Sequence, residues 1–145
     1  MIGKLVTEIT VEQFNCFMEK ELPWVYGIGM RAHTIEDREV IIKLEVTEDM
    51  LRPGGTVSGP FMMAMADAAM YAVVMSKMGA AKMAVTTSLN INFLQRPSCS
   101  VLLAKGRALK VGKRLAVIDV TIQSEANDGL IAHATGTYSL PPAKT

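Results

Sequence analysis

Cysteine is scarce in this chain. Cys16 and Cys99 are the only two, and they stand far apart, outside any Cys-x-x-Cys or Cys/His ligand spacing. That excludes a disulfide framework and gives no zinc or dithiol redox site, so reduced thiols in a cytoplasmic setting are expected. Charge of one sign is equally short: 15 Lys and Arg oppose 14 Asp and Glu, a formal net charge of +1. Nucleic-acid and anionic-membrane binding usually show as a basic excess, and none is present. The N-terminus carries acidic residues and no uninterrupted apolar stretch of signal-peptide length, so no secretion signal is expected. The Gly-rich run 52–60 lacks the Gly-Lys-Ser/Thr ending of a phosphate-binding loop, and Ser58 lacks the G-x-S-x-G elbow of a serine hydrolase. Gly27-Ile-Gly-Met-Arg-Ala32 matches the dinucleotide glycine pattern by letter but opens no helix within a strand-helix-strand unit. Repeats and low-complexity segments are absent too.

Apolar bulk is what the chain has. Half of its 145 residues are hydrophobic, enough for one domain over 1–145 with a single core. The centre of it is Phe61 to Met78, whose charged groups are Asp67 near the middle and Lys77 at the end. Wound at 3.6 residues per turn, this helix shows Met, Ala, Phe or Val on every side, so it is expected to be buried all round. A membrane span would keep charge out of its middle, and Asp67 interrupts the run. An ionised carboxylate in an apolar setting is costly unless paired, hydrogen-bonded or protonated. Asp67 is therefore either a core group satisfied by backbone or an Arg, or a reactive carboxylate. The approach to the helix, Arg52-Pro-Gly-Gly-Thr-Val-Ser-Gly-Pro60, offers Ser58 as N-cap and Pro60 in the first turn, leaving free N–H groups at a turn of small residues.

The remaining elements follow from local pattern. Thr10-Val-Glu-Gln13 fits a capping box, and Phe14, Phe17, Met18 and Leu22 continue at helical spacing until Pro23, which predicts a lid helix over about 10–22. Val25 to Thr34 reads as a strand, 36–38 as a turn, and Val40, Ile42, Leu44 and Val46 as a second strand. Met83, Val85, Thr87, Leu89, Ile91 and Phe93 alternate with Thr86, Ser88, Asn90 and Asn92, predicting a long strand with the first set buried. Strands at 100–111, Leu115 to Ser124 and Leu130 to Leu140, with turns at Val111-Gly-Lys-Arg114 and Asn127-Asp-Gly129, complete a four-strand meander before a polar tail. The fold class is α+β: an antiparallel sheet of five to six strands wrapped around one long helix. One curved sheet covers only part of such a helix, so a second copy is expected to cover the rest.

Several marks occur in order: Gly55-Thr-Val-Ser-Gly59 ahead of the helix, Asp67 within it, Asn90-Ile-Asn-Phe-Leu-Gln-Arg-Pro97, Val111-Gly-Lys-Arg114 and Ala132-His-Ala-Thr-Gly-Thr137. In these the chain resembles the hotdog-fold thioesterases over roughly residues 25–140, specifically the phenylacetate-degradation type and its acyl-CoA thioesterase relatives. The resemblance implies a water-activating or nucleophilic carboxylate at Asp67 and an oxyanion-binding N–H at Gly59. It implies substrate contacts at Ser58, Thr86 and Arg52. Thr86 falls where some relatives carry a Ser that helps hold the attacking water, and Arg52 near the place of a carbonyl-holding amide. It also implies hydrolysis of an acyl-CoA or other acyl thioester, a homodimer or dimer of dimers, no metal, and no cofactor other than coenzyme A as part of the substrate. Relatives usually read His-Gly-Gly where this chain has Ser58-Gly59-Pro60.

The chemistry fits those residues on its own terms. Thioester hydrolysis needs a helix N-terminus or similar donor at the carbonyl oxygen and a base or nucleophile opposite. Gly59 and Asp67 stand eight positions apart, about 12 Å along a helix, too far to serve one carbonyl within one chain. Two other readings stay open here: a non-catalytic acyl-thioester binding protein, and a structural dimer with Asp67 as a satisfied core group. His33 reads as an ordinary strand residue and His133 as exposed or at a subunit contact. The basic cluster Lys105, Arg107, Lys110, Lys113 and Arg114 could hold coenzyme A phosphates, though a solvated strand face is the more common explanation of such a cluster.

Overall fold

A computed structural model describes residues 7–97 and 101–142, the side chains of 127 and 128 excepted. Cys99, the first residue of the strand expected from 100 and the end of the polar tail lie outside the described residues. Helix α1 spans Val11–Glu21 with the expected capping box: the Gln13 N–H donates to Thr10 Oγ1 at 3.1 Å and the Thr10 N–H to Gln13 Oε1 at 2.9 Å. It buries Phe14 and Met18. Pro23 ends this helix but also starts another, α2, Pro23–Gly27, because its fixed φ suits a first helical turn. The strand expected from Val25 therefore begins later, after a turn in which Gly29 adopts φ +97°. It is β1, Arg31–Glu36, joined through 37–38 to β2, Glu39–Glu45.

A short hairpin of β3, Leu51–Arg52, and β4, Thr56–Val57, leads into the long helix α3, Gly59–Met78. Then come β5, Val85–Phe93; β6, Val101–Val111; β7, Leu115–Ser124; and β8, Asn127–Ser139. The β7–β8 turn is residues 125–126, two positions ahead of the expected site, with Ser124 paired to Asn127.

Six strands form one antiparallel sheet in the order β1-β2-β6-β7-β8-β5. Only β6, β7 and β8 make the expected meander. Strand β5 instead pairs with β8 at the far edge, because α3, about 30 Å long for its 20 residues, carries the chain across the sheet before β5 begins. Helix α3 lies on the inner face, packed most against β6, β2 and β7. This is the sheet around a central helix that the sequence predicts.

Two expectations of burial need correction. Helix α3 is not covered all round within one chain: Pro60 and Met63 are exposed, and Ala64, Asp67 and Tyr71 are half-buried, forming one open stripe at helical spacing. It is long and apolar enough to cross a membrane by composition, yet its other sides sit inside the sheet. Strand β5 also lacks a fully buried face, since only Leu89 and Ile91 are half-covered. Nor is its alternation unbroken. The register against β8 slips between Thr86 and Ser88, so a bulge at Thr87 puts Thr86 on the helix-facing side with Leu89, Ile91 and Phe93.

Candidate active site

The start of α3 is set by its glycines and proline. The Gly55 N–H donates to the Arg52 carbonyl at 3.0 Å, around Pro53 and a Gly54 held at φ +100°. That is the pattern of a type II turn, with Pro second and Gly third. The turn pairs Arg52 with Thr56, and the Ser58 N–H then donates to the Met50 carbonyl at 2.9 Å. Ser58 occupies the N-cap position, but its side chain makes no capping hydrogen bond, so its part in starting the helix is played by its backbone. Among the described residues, no carbonyl or side chain accepts from the Gly59 N–H.

Beside this N–H lies a cavity of about 240 Å³ lined by Arg52, Thr56, Gly59, Met62, Phe93 and Arg96, among others. Ser58 is not in its lining. A Cβ on residue 59 would come within 3.2 Å of the Phe93 ring, so a larger residue there would press on that half-exposed ring. The Arg52 guanidinium has only a long bond, 3.4 Å, to the carbonyl of its neighbour Pro53. Among the described residues neither Arg52 nor Arg96 has an acidic partner.

Asp67 stands in the open stripe further along α3. Its Oδ1 accepts from Thr86 Oγ1 at 2.6 Å and from Tyr138 Oη at 2.8 Å. Among the described residues nothing donates to Oδ2, and no cation lies within ion-pair distance. The expectation of an Arg partner, one account of a structural Asp, therefore fails. Tyr138 is 3 % exposed, and burial, then the Asp67 charge, push its ionisation far above the usual phenol range, against a smaller opposing effect of the Thr86 hydroxyl. It stays a protonated donor.

The predicted residues thus fall into two groups. Arg52 and Gly59 share the cavity; Asp67 and Thr86 meet eight positions along the helix; Ser58, next to Gly59 in sequence, has a side chain that makes no polar contact to either group among the described residues. Tyr138 was missed, although Ala134, Gly136 and Tyr138 alternate on one strand face and could have flagged an inward phenol. Phe93 and Arg96 stand within the 90–97 run, where the strand pattern gives neither a site role. His133 on β8 bonds Asp119 on β7, which also pairs with Arg107 at 3.4 Å; this network crosses the sheet away from both groups. His33 sits exposed in β1 at its bulge.

A sequence model of the thioesterase superfamily matches residues 54–131, more than half of the chain. The chain belongs to the thioesterase superfamily. The match includes Gly59, Asp67 and Thr86 and stops short of Tyr138. Among solved structures, this superfamily member is similar to a candidate thioesterase of Silicibacter sp. TM1040, at 35 % identity over 97 % of this chain and 95 % of that one, with a TM-score of 0.82. It is 29 % identical over 131 residues to a candidate esterase of Saccharolobus solfataricus, covering 90 % of this chain and 85 % of the relative. The PaaI protein from the phenylacetic acid degradation operon of E. coli shares the fold, with a TM-score of 0.80 at 19 % identity over 92 % of this chain and 95 % of that one. The hotdog-fold resemblance read from the sequence is thereby confirmed, and the relatives' names support hydrolase chemistry.

Proposed function

We propose that this superfamily member hydrolyses an acyl-CoA thioester to the free acid and coenzyme A, as a cytoplasmic homodimer or dimer of dimers with composite sites. The observation that carries the reading is the division of parts along α3. Gly59, whose N–H has no acceptor among the described residues, lines a cavity at the helix start, and a hydroxyl-held carboxylate stands in the open stripe about 12 Å further on. Two copies packed through that stripe bring the partner subunit's Asp67 to the cavity of the first.

The thioester carbonyl points its oxygen at the Gly59 N–H, where the positive end of α3 stabilises the developing charge. A water held at Thr86 attacks the carbonyl carbon and gives its proton to Asp67 Oδ2. Collapse of the tetrahedral intermediate breaks the C–S bond, and the leaving thiolate takes the proton back from Asp67, which gives the free acid and coenzyme A thiol and restores the carboxylate. Arg52 and Arg96 flank the cavity as free cations and provide donors for acceptor groups on the substrate.

Turnover of a panel of acyl-CoA thioesters tests the reading. Asp67→Asn is expected to lower turnover by about 10² to 10⁴ while melting temperature holds or rises, because no cation is left stranded. Asp67→Asn and Gly59→Pro homodimers should each keep only a small residual turnover, yet verified heterodimers of the two should regain activity well above either parent, since one composite site then has both parts. No activity on any thioester, with coenzyme A thioester binding seen by calorimetry, would instead make this an acyl-thioester binding protein.

A further inference from the structure

We infer that Tyr138 is a positioning residue which, with Thr86, clamps Asp67 by Oδ1 and so leaves Oδ2 as the oxygen that reacts. The inference rests on the reading of Asp67 as the reactive carboxylate, and goes beyond it in assigning roles to its two oxygens and to a residue outside the superfamily match.

The two donors come from different strands but meet by register. Thr86 on β5 is paired with Tyr138 on β8, and the bulge at Thr87 turns Thr86 to the same face as the phenol. Both hydroxyls then reach one carboxylate oxygen, at 2.6 and 2.8 Å. Hydrogen bonds from hydroxyls to an ionised oxygen are short and strong, and two of them fix the rotation of the carboxylate about its terminal bond. They also occupy the lone pairs of Oδ1, so a proton from water is better taken by Oδ2.

Tyr138 cannot swing away from this task. Its single proton goes to Oδ1, with the Asp67 main-chain carbonyl at 3.2 Å as the weaker acceptor of the same donor. Its ring stacks on Tyr71 at 5.7 Å between centroids, 27° between planes. Tyr71 is anchored in turn by a hydrogen bond from its hydroxyl to the Ala81 carbonyl at 2.9 Å. Phe17 of α1 meets Tyr71 edge-on at 5.8 Å and 81°. A row of three aromatic rings therefore runs from the N-terminal helix to the carboxylate, and α1 acts as its outer support.

Steady-state kinetics of the full-length protein test the clamp. Tyr138→Phe keeps the ring stack and removes the donor; kcat is expected to fall about 10- to 100-fold, the scale of one hydrogen bond to a charged group, with KM within about twofold. In an Asp67→Asn background the same substitution should cause no further loss, whereas a merely structural tyrosine would lower kcat by the same factor in both. Wild-type kcat in Tyr138→Phe, a loss confined to KM, or equal losses in the two backgrounds would overturn the inference. If Tyr138→Phe does not fold, the Thr86 pair decides. Thr86→Val should lose kcat and Thr86→Ser recover it, and equal kcat for the two would remove the clamp. Failure of the underlying reading looks different, because Asp67→Asn itself would then keep its turnover.

Discussion

Asp67 is held by two hydroxyls, and that choice of partner matters. A guanidinium at the same distance would neutralise the carboxylate and occupy both oxygens, whereas Thr86 and Tyr138 satisfy one oxygen and leave the charge in place. At the other end of the site, neither Arg52 nor Arg96 has an acidic partner among the described residues. Arg52 sits in the cavity wall and, among the described residues, meets only its neighbour's carbonyl, so it is available to an anionic substrate group. Acyl chains ending in a carboxylate are therefore expected to be favoured, and Arg52→Ala should lower kcat/KM for them by roughly tenfold relative to uncharged chains. An unchanged ranking of acyl-CoA substrates in that variant would count against the role.

At the scale of elements, α3 and the sheet press together where side chains are smallest. A Cβ at Gly136 on β8 would lie 2.4 Å from Met70 Sδ and 3.0 Å from the Ser88 carbonyl oxygen. Met70 is fully buried, so it has little room to yield. Gly136→Ala is accordingly expected to destabilise the fold by about 1–3 kcal/mol, read as a lower urea midpoint; an unchanged midpoint would mean that helix and sheet can separate at little cost. The contact also explains the Ala132-His-Ala-Thr-Gly-Thr137 run. Its inward members are Ala, Ala and Gly, which let the helix approach, and the next inward residue is Tyr138, where the strand reaches Asp67. The β5 bulge works with it, since without the extra residue at 87 the Thr86 hydroxyl would face away from the helix.

At the scale of the molecule, one chain leaves large apolar side chains exposed both on the open stripe of α3 and on the edge strand β5. Met63 on the open stripe of α3 is 44 % exposed, and Val85 on the sheet edge 54 %. Among the described residues strand β5 has a partner only on its β8 side, and an unpaired edge with apolar neighbours favours pairing with another copy. Each such side chain contributes about 1.5–3 kcal/mol when fully buried, so several together offset the cost of association. Sedimentation at micromolar concentration should show a species of about twice 15.7 kDa or a multiple of it; a folded monomer there would refute both the dimer and the composite site.

What the sequence determined by itself is local. The capping box at Thr10, the all-round apolar helix with Asp67 in it, the turn of Pro53 and Gly54, and strand β7 from Leu115 to Ser124 all follow from contacts within a few residues, where periods of 3.6 and 2 can be read directly. Half of the candidate site was legible on those terms: Gly59 by its place at a helix start, Asp67 by its isolation. Local pattern misread Pro23, which stops one helix and begins the next, and placed the β7–β8 turn two positions late. Only the tertiary structure decided that β5 pairs with β8, that a bulge turns Thr86 inward, and that Tyr138 reaches a carboxylate 71 positions earlier in the chain. Strand partners, bulges and cross-sheet hydrogen bonds depend on which distant surfaces meet, and no period within a single segment encodes that.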